Sequence, residues 1–373
     1  MLRKLIGFLV PVVVLATLIP LSGAYATSGQ SGDPANYSIV KVAPKNGGEP
    51  SIATDPVNAN RVYVSWPGGG MSFYRSTDSG ATWTAGAKAD TQSGDTSVNV
   101  DPTGAIYQSN LNGISNNPNT LQGVVFKSKD QGSTWTRGSG FLNAANSTNN
   151  PLLVDRQWTD TYIEPNDDGS LDTDKGLVYI TYHDWGPDTI WVNVSKDGGK
   201  TFGAPVAVPS SPPADPDAAA ASAQASAASF CDTIPGGVKV VPADAPASKH
   251  PGRAYIAWLA GDLATNPSTG CNYTQLNTFH TIWIAWSDDQ GAHWTPHLVY
   301  DAGPMHDASA LFADITVDSE GNPYVAYGMN LYSAGTTDMF VNASFDGGTT
   351  WNGKSDGSGQ PYTVNVTDGT DAT

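Results

Sequence analysis

Two short polar segments contain residue types that can bind or cleave a sugar. They are Asp155-Arg156-Gln157-Trp158 and His183-Asp184-Trp185. Carboxylates accept hydrogen bonds from hydroxyl groups, paired acids hydrolyse glycosidic bonds, and tryptophan faces stack on pyranose rings. The candidate catalytic residues are therefore Asp155, Arg156, His183 and Asp184. A structural interpretation is equally open, with Asp155 and Arg156 as a local ion pair and His183-Asp184 as a strand end.

Other residues of the same types stand at the starts or ends of predicted strands. The candidate ligand-binding residues are Glu49, Trp66, Trp158, Trp185, Asp262, His306 and Asp307, and Asp95 occupies a similar strand start. The sequence favours a structural role for Glu49 and Asp307, and Trp158 can also serve as a core wedge between sheets. His250, His280, His293 and His297 are not paired at the spacing of metal ligands, so they are interpreted as structural or solvent-exposed.

The elements that position these residues are indicated by a repeat. Five segments match Ser-x-Asp-x-Gly-x-[Thr/His]-[Trp/Phe], at residues 76–83, 128–135, 195–202, 287–294 and 344–351. The Asp accepts backbone hydrogen bonds in a tight turn, the Gly allows a left-handed backbone, and the aromatic residue folds back onto the sheet. This turn gives its aspartates a structural role, so none is a catalytic candidate: Asp78, Asp130, Asp197, Asp289 and Asp346.

Upstream of the turns lies a second recurring strand pair, for example 50–55 with 61–66 and 314–318 with 323–327. Each unit is therefore expected to be four antiparallel strands, and such units in series bury their faces by stacking radially. Over residues 36–366 the chain resembles the Asp-box (BNR-repeat) β-propellers of the sialidase-like superfamily. The predicted fold is an all-β propeller with five Asp-box blades. The leftover strand at 37–42 further predicts a sixth, incomplete blade.

The resemblance implies that the starts of first strands and the ends of second strands share one face, called the top. The candidate residues above then gather there. Catalytic sialidases hold their substrate with three arginines and carry a Phe/Tyr-Arg-Ile-Pro motif. Here Glu49-Pro50-Ser51-Ile52 stands at the corresponding place without an arginine, and of the arginines beyond residue 26 only Arg156 is expected on top. Classical sialidase chemistry is therefore not expected.

The N-terminus has the pattern of a secretory signal peptide, predicted as residues 1–26. Arg3 and Lys4 precede an apolar run, and Ala24-Tyr25-Ala26 supplies a cleavage site. Cleavage leaves 35 acidic against 16 basic residues and changes the formal charge from −17 to −19. This balance argues against nucleic acid or anionic lipid as a partner. The prediction is a secreted protein, residues 27–373, with no membrane span after cleavage.

Two loops stand out. The Asp-box serines are spaced by 52, 67, 92 and 57 residues, and the widest interval contains a long insertion at 209–275. In an exported chain, Cys231 and Cys271 are expected to form a disulfide.

The acidic loop 164–176 offers oxygen ligands for Ca²⁺ in Asp167, Asp168, Asp172 and Asp174. This loop departs from the EF-hand pattern, and a solvated acidic turn is the favoured interpretation. No cofactor is expected to be required, and Ca²⁺ is the metal that this loop would suit.

Two functions compete. The first is a secreted sialidase-like propeller that binds or processes extracellular glycans through its top face; as an enzyme it would be a glycoside hydrolase. The second is a non-catalytic scaffold that holds a protein partner with its rim and the loop at 209–275. A top pocket with two carboxylates about 5–9 Å apart would favour hydrolysis. A flat, loop-covered top would favour the scaffold.

Overall fold

In the part of the chain that the structure describes, alternating apolar residues and tight Asp–Gly turns build twenty strands in five sheets. The computed structural model describes residues 39–43, 48–68, 70–91, 94–114, 117–140, 154–184, 189–208, 233–261, 279–303, 305–309, 312–330, 337–351 and 362–364. The strands belong to one compact unit, Val40–Thr367. A second unit, Met1–Ile39 with Asp368–Thr373, is described only at Ile39. The described part of the chain holds no helix with the length and apolar character that a membrane crossing requires.

Each sheet contains four consecutive antiparallel strands. The first sheet comprises β1 (Ser51–Thr54), β2 (Val62–Pro67), β3 (Met71–Ser76) and β4 (Thr84–Ala85), and the second comprises β5 (Thr96–Val100), β6 (Ile106–Ile114), β7 (Asn117–Ser128) and β8 (Thr136–Arg137). The third comprises β9 (Val154–Tyr162), β10 (Leu177–Asp184), β11 (Thr189–Ser195) and β12 (Val206–Val208). The fourth comprises β13 (Thr233–Val240), β14 (Ala254–Ala260), β15 (Thr281–Ser287) and β16 (Thr295–Asp301). The fifth comprises β17 (Asp314–Val317), β18 (Pro323–Met329), β19 (Asp338–Ala343) and β20 (Tyr362–Val364), and a 3₁₀ turn at Ala247–Lys249 connects β13 to β14.

The sheets are the blades of a β-propeller, as predicted. Their first strands β1, β5, β9, β13 and β17 lie side by side in chain order, so each blade starts next to its predecessor. Four apolar layers fill the spaces between neighbouring blades, and Trp258, Trp283 and Trp294 are the largest fully buried side chains. The sixth blade stays a prediction, and residues 39–42, the described part of its expected strand at 37–42, are not in a strand.

The Asp-box turns form as the repeat predicts. In the third blade the carboxylate of Asp197 accepts hydrogen bonds from Ser195 Oγ at 2.7 Å, the Thr201 N–H at 2.8 Å and Thr201 Oγ1 at 2.6 Å. The other four turns repeat these three contacts within 0.2 Å. In the first two blades the contacts from Thr82 and Thr134 lower the pKa of Asp78 and Asp130 to about 2. The turns therefore engage these carboxylates fully.

A recurring glycine–tyrosine joint connects the blades. The Asp-box Gly199 packs so closely against the second strand of the preceding blade that an added Cβ would lie 3.1 Å from Tyr107 Cε1. The same relation joins Gly291 to Tyr179 at 3.4 Å and Gly348 to Tyr255 at 3.1 Å. Because these tyrosines occupy equivalent places on β6, β10 and β14, each turn both closes its own blade and packs against the previous one.

Candidate functional site

The starts of the first strands meet on the top face, as the propeller order requires. Arg156, the third residue of β9, reaches back across the second blade to the segment that precedes β1. Its Nη2 donates to Glu49 Oε1 at 3.0 Å, and its Nε lies 3.5 Å from Asp95 Oδ2. Asp95 directly precedes β5, so three successive blades contribute to one cluster. We call this cluster, with Asp155 and Gln157, the Arg156 site.

An irregularity in β9 directs Arg156 into the cluster. The pairing of β9 with β10 shifts between Thr181 and His183, and Arg156 has a φ of 49°. Asp155 supports the turn by accepting the Arg156 N–H at 3.0 Å. Glu49 also has a left-handed backbone, with a φ of 48°. Such conformations are disfavoured for side chains other than glycine and often occur where a structure must aim a functional group.

Two aromatic side chains pack next to the guanidinium group of Arg156. Phe312, just before β17 of the fifth blade, places its ring centroid 4.5 Å from Arg156 Cζ. Trp158 meets the same ring edge-on at 6.0 Å. The Phe312 side chain is 39% exposed, so part of its ring faces solvent next to the polar cluster. A fourth blade thus contributes an apolar surface to the site.

Gln157 adds a buried hydrogen-bonding group. Its Nε2 donates to the backbone oxygen of Asp95 at 2.5 Å, which places the amide group within the cluster. The residue is only 3% exposed, and its Oε1 has no hydrogen-bond partner among the described residues. A buried acceptor of this kind carries a free-energy cost until a donor reaches it. A ligand or a water that donates a hydrogen bond to the amide oxygen would remove this cost.

Two carboxyl groups of the site share a proton. Burial and the hydrogen bond with Glu49 raise the pKa of Asp95 to about 8, although Arg156 opposes the shift. The hydrogen bond from Asp95 lowers the pKa of Glu49, and the charge of Arg156 adds to this effect. At neutral pH, Asp95 is the protonated donor and Glu49 the ionised acceptor. The site thus offers a carboxylate, a carboxylic acid and a guanidinium within one cluster.

His183 and Asp184 lie inside the protein, at the end of β10. His183 is fully buried, and its Nε2 lies 2.8 Å from Thr233 Oγ1 at the start of β13. Asp184 is 1% exposed. Of the four predicted catalytic residues, Asp155 and Arg156 therefore reach the Arg156 site, whereas His183 contacts the start of the fourth blade and Asp184 is buried at the end of β10. Trp185 and Asp262 lie outside the described residues.

The remaining predicted ligand residues have structural contacts. Trp66 is 7% exposed, and its ring stacks on Tyr74 with centroids 5.0 Å apart, so the ring face is not presented on top. Asp307 accepts N–H groups of Phe279 and Ser309, both at 3.1 Å, and its own N–H donates to Asn330 Oδ1. His306 Nδ1 lies 3.2 Å from the carbonyl oxygen of Asn330. These contacts fix the loop before β17.

The acidic loop 164–176 is held by lysines. Asp174 lies 3.1 Å from Lys127, 2.6 Å from Lys129 and 3.8 Å from Lys200. Contacts within the loop fix two further aspartates, because Asp168 accepts from Ser170 and Asp172 accepts the Asp174 N–H, while Asp167 is exposed. No group of three or more His, Cys, Asp or Glu side chains in the described ranges can hold a metal ion. The loop geometry therefore follows its ion pairs and does not assemble the predicted calcium ligands.

Three other arginines make structural contacts. Arg61 binds Asp55, Arg75 binds the second Asp-box turn, and Arg253 binds Asp288 and Gly347. These contacts lie on the face opposite the Arg156 site, where the Asp boxes are. Of the described arginines, Arg156 is the one on the top face. The predicted partners Cys231 and Cys271 lie outside the described residues, so the disulfide stays a prediction.

Phe312 was not predicted as a site residue, and Asp95 and Gln157 were placed at strand starts without an assigned role. Asp95 and Gln157 had a usable signal, because each stands at the start of a first strand. Phe312 had none, since it lies in a connecting loop whose path depends on how the fifth blade packs. The site is thus assembled from positions that are far apart in the chain.

The chain is similar to several solved structures, at low sequence identity. No family model and no curated protein matches the chain. A protein of unknown function from Dyadobacter fermentans is 14% identical with a TM-score of 0.48, covering 79% of this chain and 74% of that one. Penicillium chrysogenum α-L-arabinanase, complexed with arabinobiose, is 13% identical with a TM-score of 0.44, covering 84% and 80%. A PL25 ulvan lyase is 14% identical with a TM-score of 0.48, covering 82% and 69%. Similarity at this level does not transfer a substrate or an activity to this chain.

Proposed function

We propose that this protein is a secreted, sialidase-like propeller that binds extracellular glycans through the Arg156 site. The observation that carries the proposal is the convergence of four blades on Arg156, through Glu49, Asp95 and Phe312. Sugars are bound by charged and amide groups that pair with hydroxyls and by aromatic surfaces that cover C–H faces. The Arg156 site holds both kinds of surface on one face of the propeller.

The geometry favours binding over hydrolysis. Glycoside hydrolases separate their two carboxyl groups by about 5–5.5 Å or about 6.5–9.5 Å, to admit the sugar carbon or a water. Glu49 and Asp95 are instead hydrogen-bonded to each other and share Arg156. The classical sialidase mechanism would also need further arginines on the top face. The proposed activity is therefore recognition of a glycan.

The assignment to the extracellular space and to the sialidase-like superfamily rests on the sequence. The signal-peptide pattern at 1–26 supports export, and the five Asp boxes support the superfamily. Both assignments are part of the proposal. They agree with a site whose groups suit a hydroxyl-rich ligand.

A glycan-array screen of the mature protein tests the proposal. We expect wild type to bind a defined set of glycans and Arg156→Lys to lose most of the signal, because one ammonium cannot contact Glu49 and Asp95 in the geometry of the guanidinium. Asp168→Asn, an exposed carboxylate on the opposite face, is the control and should bind like wild type. A blank array from a folded protein would contradict the proposal and favour the protein-binding scaffold.

A further inference from the structure

We propose that the Arg156 site prefers sugars with a free amino group over neutral sugars and excludes sugars that carry a carboxylate or a sulfate. This inference rests on the proposed glycan-binding function and specifies its ligand class. It is carried by the balance of charges in the cluster and by the unpartnered oxygen of Gln157.

The charge balance disfavours anions. The carboxyl groups of Glu49 and Asp95 contact the guanidinium of Arg156, and Asp155, which accepts the Arg156 backbone N–H, adds a third acidic group nearby. With one proton shared between Glu49 and Asp95, two negative charges face one positive charge. An acidic sugar must also compete with two carboxyl groups that already contact Arg156. The formal charge of −17 on the whole chain adds a repulsive field for any anion.

The hydrogen-bonding groups point to a ligand rich in donors. Gln157 Oε1 is a buried acceptor with no partner among the described residues, and Glu49 is an ionised acceptor. An ammonium group brings three N–H donors and a positive charge, a hydroxyl brings one donor, and a carboxylate brings none. Phe312, partly exposed beside these acceptors, can pack against the apolar face of a sugar or attract its ammonium.

The test compares three ligands of the same shape. The methyl β-glycosides of glucosamine, glucose and glucuronic acid are titrated into the wild-type protein by NMR at about pH 6, where an alkyl amine is protonated. We expect the glucosamine glycoside to bind about tenfold more tightly than the glucose glycoside, as one additional charge interaction at the protein surface would give. The glucuronic acid glycoside should bind at least tenfold more weakly than the glucose glycoside.

Two variants locate the preference. Glu49→Gln removes one negative charge with almost no change in shape and should reduce the amine-to-neutral ratio to about twofold to threefold. Asp168→Asn removes the same charge on the opposite face and should leave the ratio unchanged. Equal binding of the three glycosides, tighter binding of the acidic one, or an unchanged ratio in Glu49→Gln would overturn the inference.

The two proposals fail in different ways. If the protein binds array glycans but not the glucosamine glycoside, or binds acidic glycans as well as amino-bearing ones, the ligand class is wrong and glycan binding stands. If the folded protein binds no glycan on the array and none of the three glycosides, the glycan-binding function fails, and the inference fails with it.

Discussion

Arg156 Nη2 lies 3.0 Å from Glu49 Oε1, although the two residues are 107 positions apart in the chain. The contact connects the third blade to the segment before the first blade and passes over Asp95 of the second. Arg156 thereby fixes how three blades are aligned at the top face. The same side chain both stabilises the propeller and forms the centre of the proposed ligand site.

Replacing Arg156 with alanine should therefore affect stability and binding together. The variant leaves a half-buried pair of carboxyl groups without its cation, and we expect a loss of about 1–2 kcal/mol in the free energy of unfolding, between the values of surface and buried ion pairs. Urea denaturation measures this loss. Arg61→Ala removes a comparable contact with Asp55 on the opposite face. It should lower stability to a similar extent and leave glycan binding intact; lost binding in both variants would argue against the site.

The shared proton predicts a pH-dependent effect of Asp95→Asn. The pKa of Asp95 is about 8 in the folded protein against 3.8 for an ordinary Asp, so its contribution to stability is complete below about pH 4 and is lost as the pH rises through about 8. The groups that face it are Glu49, Asp155 and Arg156, and the lowered pKa of Glu49 offsets part of the effect. Asparagine does not ionise and escapes this loss.

We therefore expect the Tm of Asp95→Asn to rise relative to the Tm of wild type by about 2–4 °C between about pH 5 and about pH 9. Thermal unfolding followed by circular dichroism across this range measures it. Asp168→Asn, with an exposed carboxylate, provides the control curve. A constant difference between Asp95→Asn and wild type would show that no proton is held at this position.

The Asp-box carboxylates should contribute to stability alone. Asp197→Ala removes the acceptor for Ser195 and Thr201, and we expect a loss of about 1–2 kcal/mol. Lys196→Ala, the exposed neighbour in the same turn, should be nearly neutral. Burial favours a higher pKa for Asp197, but the hydrogen bonds from Thr201 and Ser195 hold this pKa below the ordinary value of 3.8.

The stabilisation by Asp197 is thus present above about pH 4 and is lost as the pH falls through its lowered pKa. The difference in the free energy of unfolding between wild type and Asp197→Ala should become smaller in acid. Urea denaturation at several pH values measures this change. Glycan binding by the folded variant should match wild type. A selective loss of binding would instead indicate that the turn takes part in ligand recognition.

The glycine–tyrosine joint allows a matched test of packing between blades. Gly80 and Gly291 hold the same Asp-box position with φ values of 87° and 84°. An added Cβ at Gly80 would meet nothing closer than Trp83 at 3.7 Å, whereas at Gly291 it would lie 2.6 Å from Val194 Cγ2. Both alanine variants suffer the same backbone strain, and only Gly291→Ala adds a clash with the preceding blade.

We expect Gly291→Ala to lower the free energy of unfolding by about 1–3 kcal/mol more than Gly80→Ala does, as overpacking of a core does. Denaturation of the two variants in urea gives the difference directly. Equal losses would show that backbone strain alone determines the effect and that the blades do not pack through this glycine.

The features predicted from the sequence are those determined locally. Ser195, Asp197, Gly199 and Thr201 make their turn within seven residues, so the repeat identifies the blade and its order without long-range information. The Arg156 site is different, because its geometry depends on the alignment of strands from separate blades. The resemblance to Asp-box propellers implied that Glu49 and Asp155 share a face, but it could not show that Arg156 reaches Glu49.

Packing within and between blades keeps several of the predicted residues out of the Arg156 site. Trp66 is covered by Tyr74, and His183 is enclosed by the start of the fourth blade at Thr233. Asp174 contacts lysines from the second blade and is engaged by them. Residue type identified groups capable of chemistry, but burial and charged neighbours decided which of them remain accessible.

The glycine–tyrosine joint also affects how the propeller unfolds. Each joint links one blade only to its neighbour, so the joints add a series of nearest-neighbour couplings to the folding energy. The Arg156 site adds contacts between blades that are not neighbours. Weakening the joint between Gly291 and Tyr179 would divide the described chain into two cooperative segments, blades one to three and blades four and five. The Arg156 site spans this division, because Phe312 belongs to one segment and Arg156 to the other. A ligand bound at this site would contact both segments and would therefore couple their unfolding.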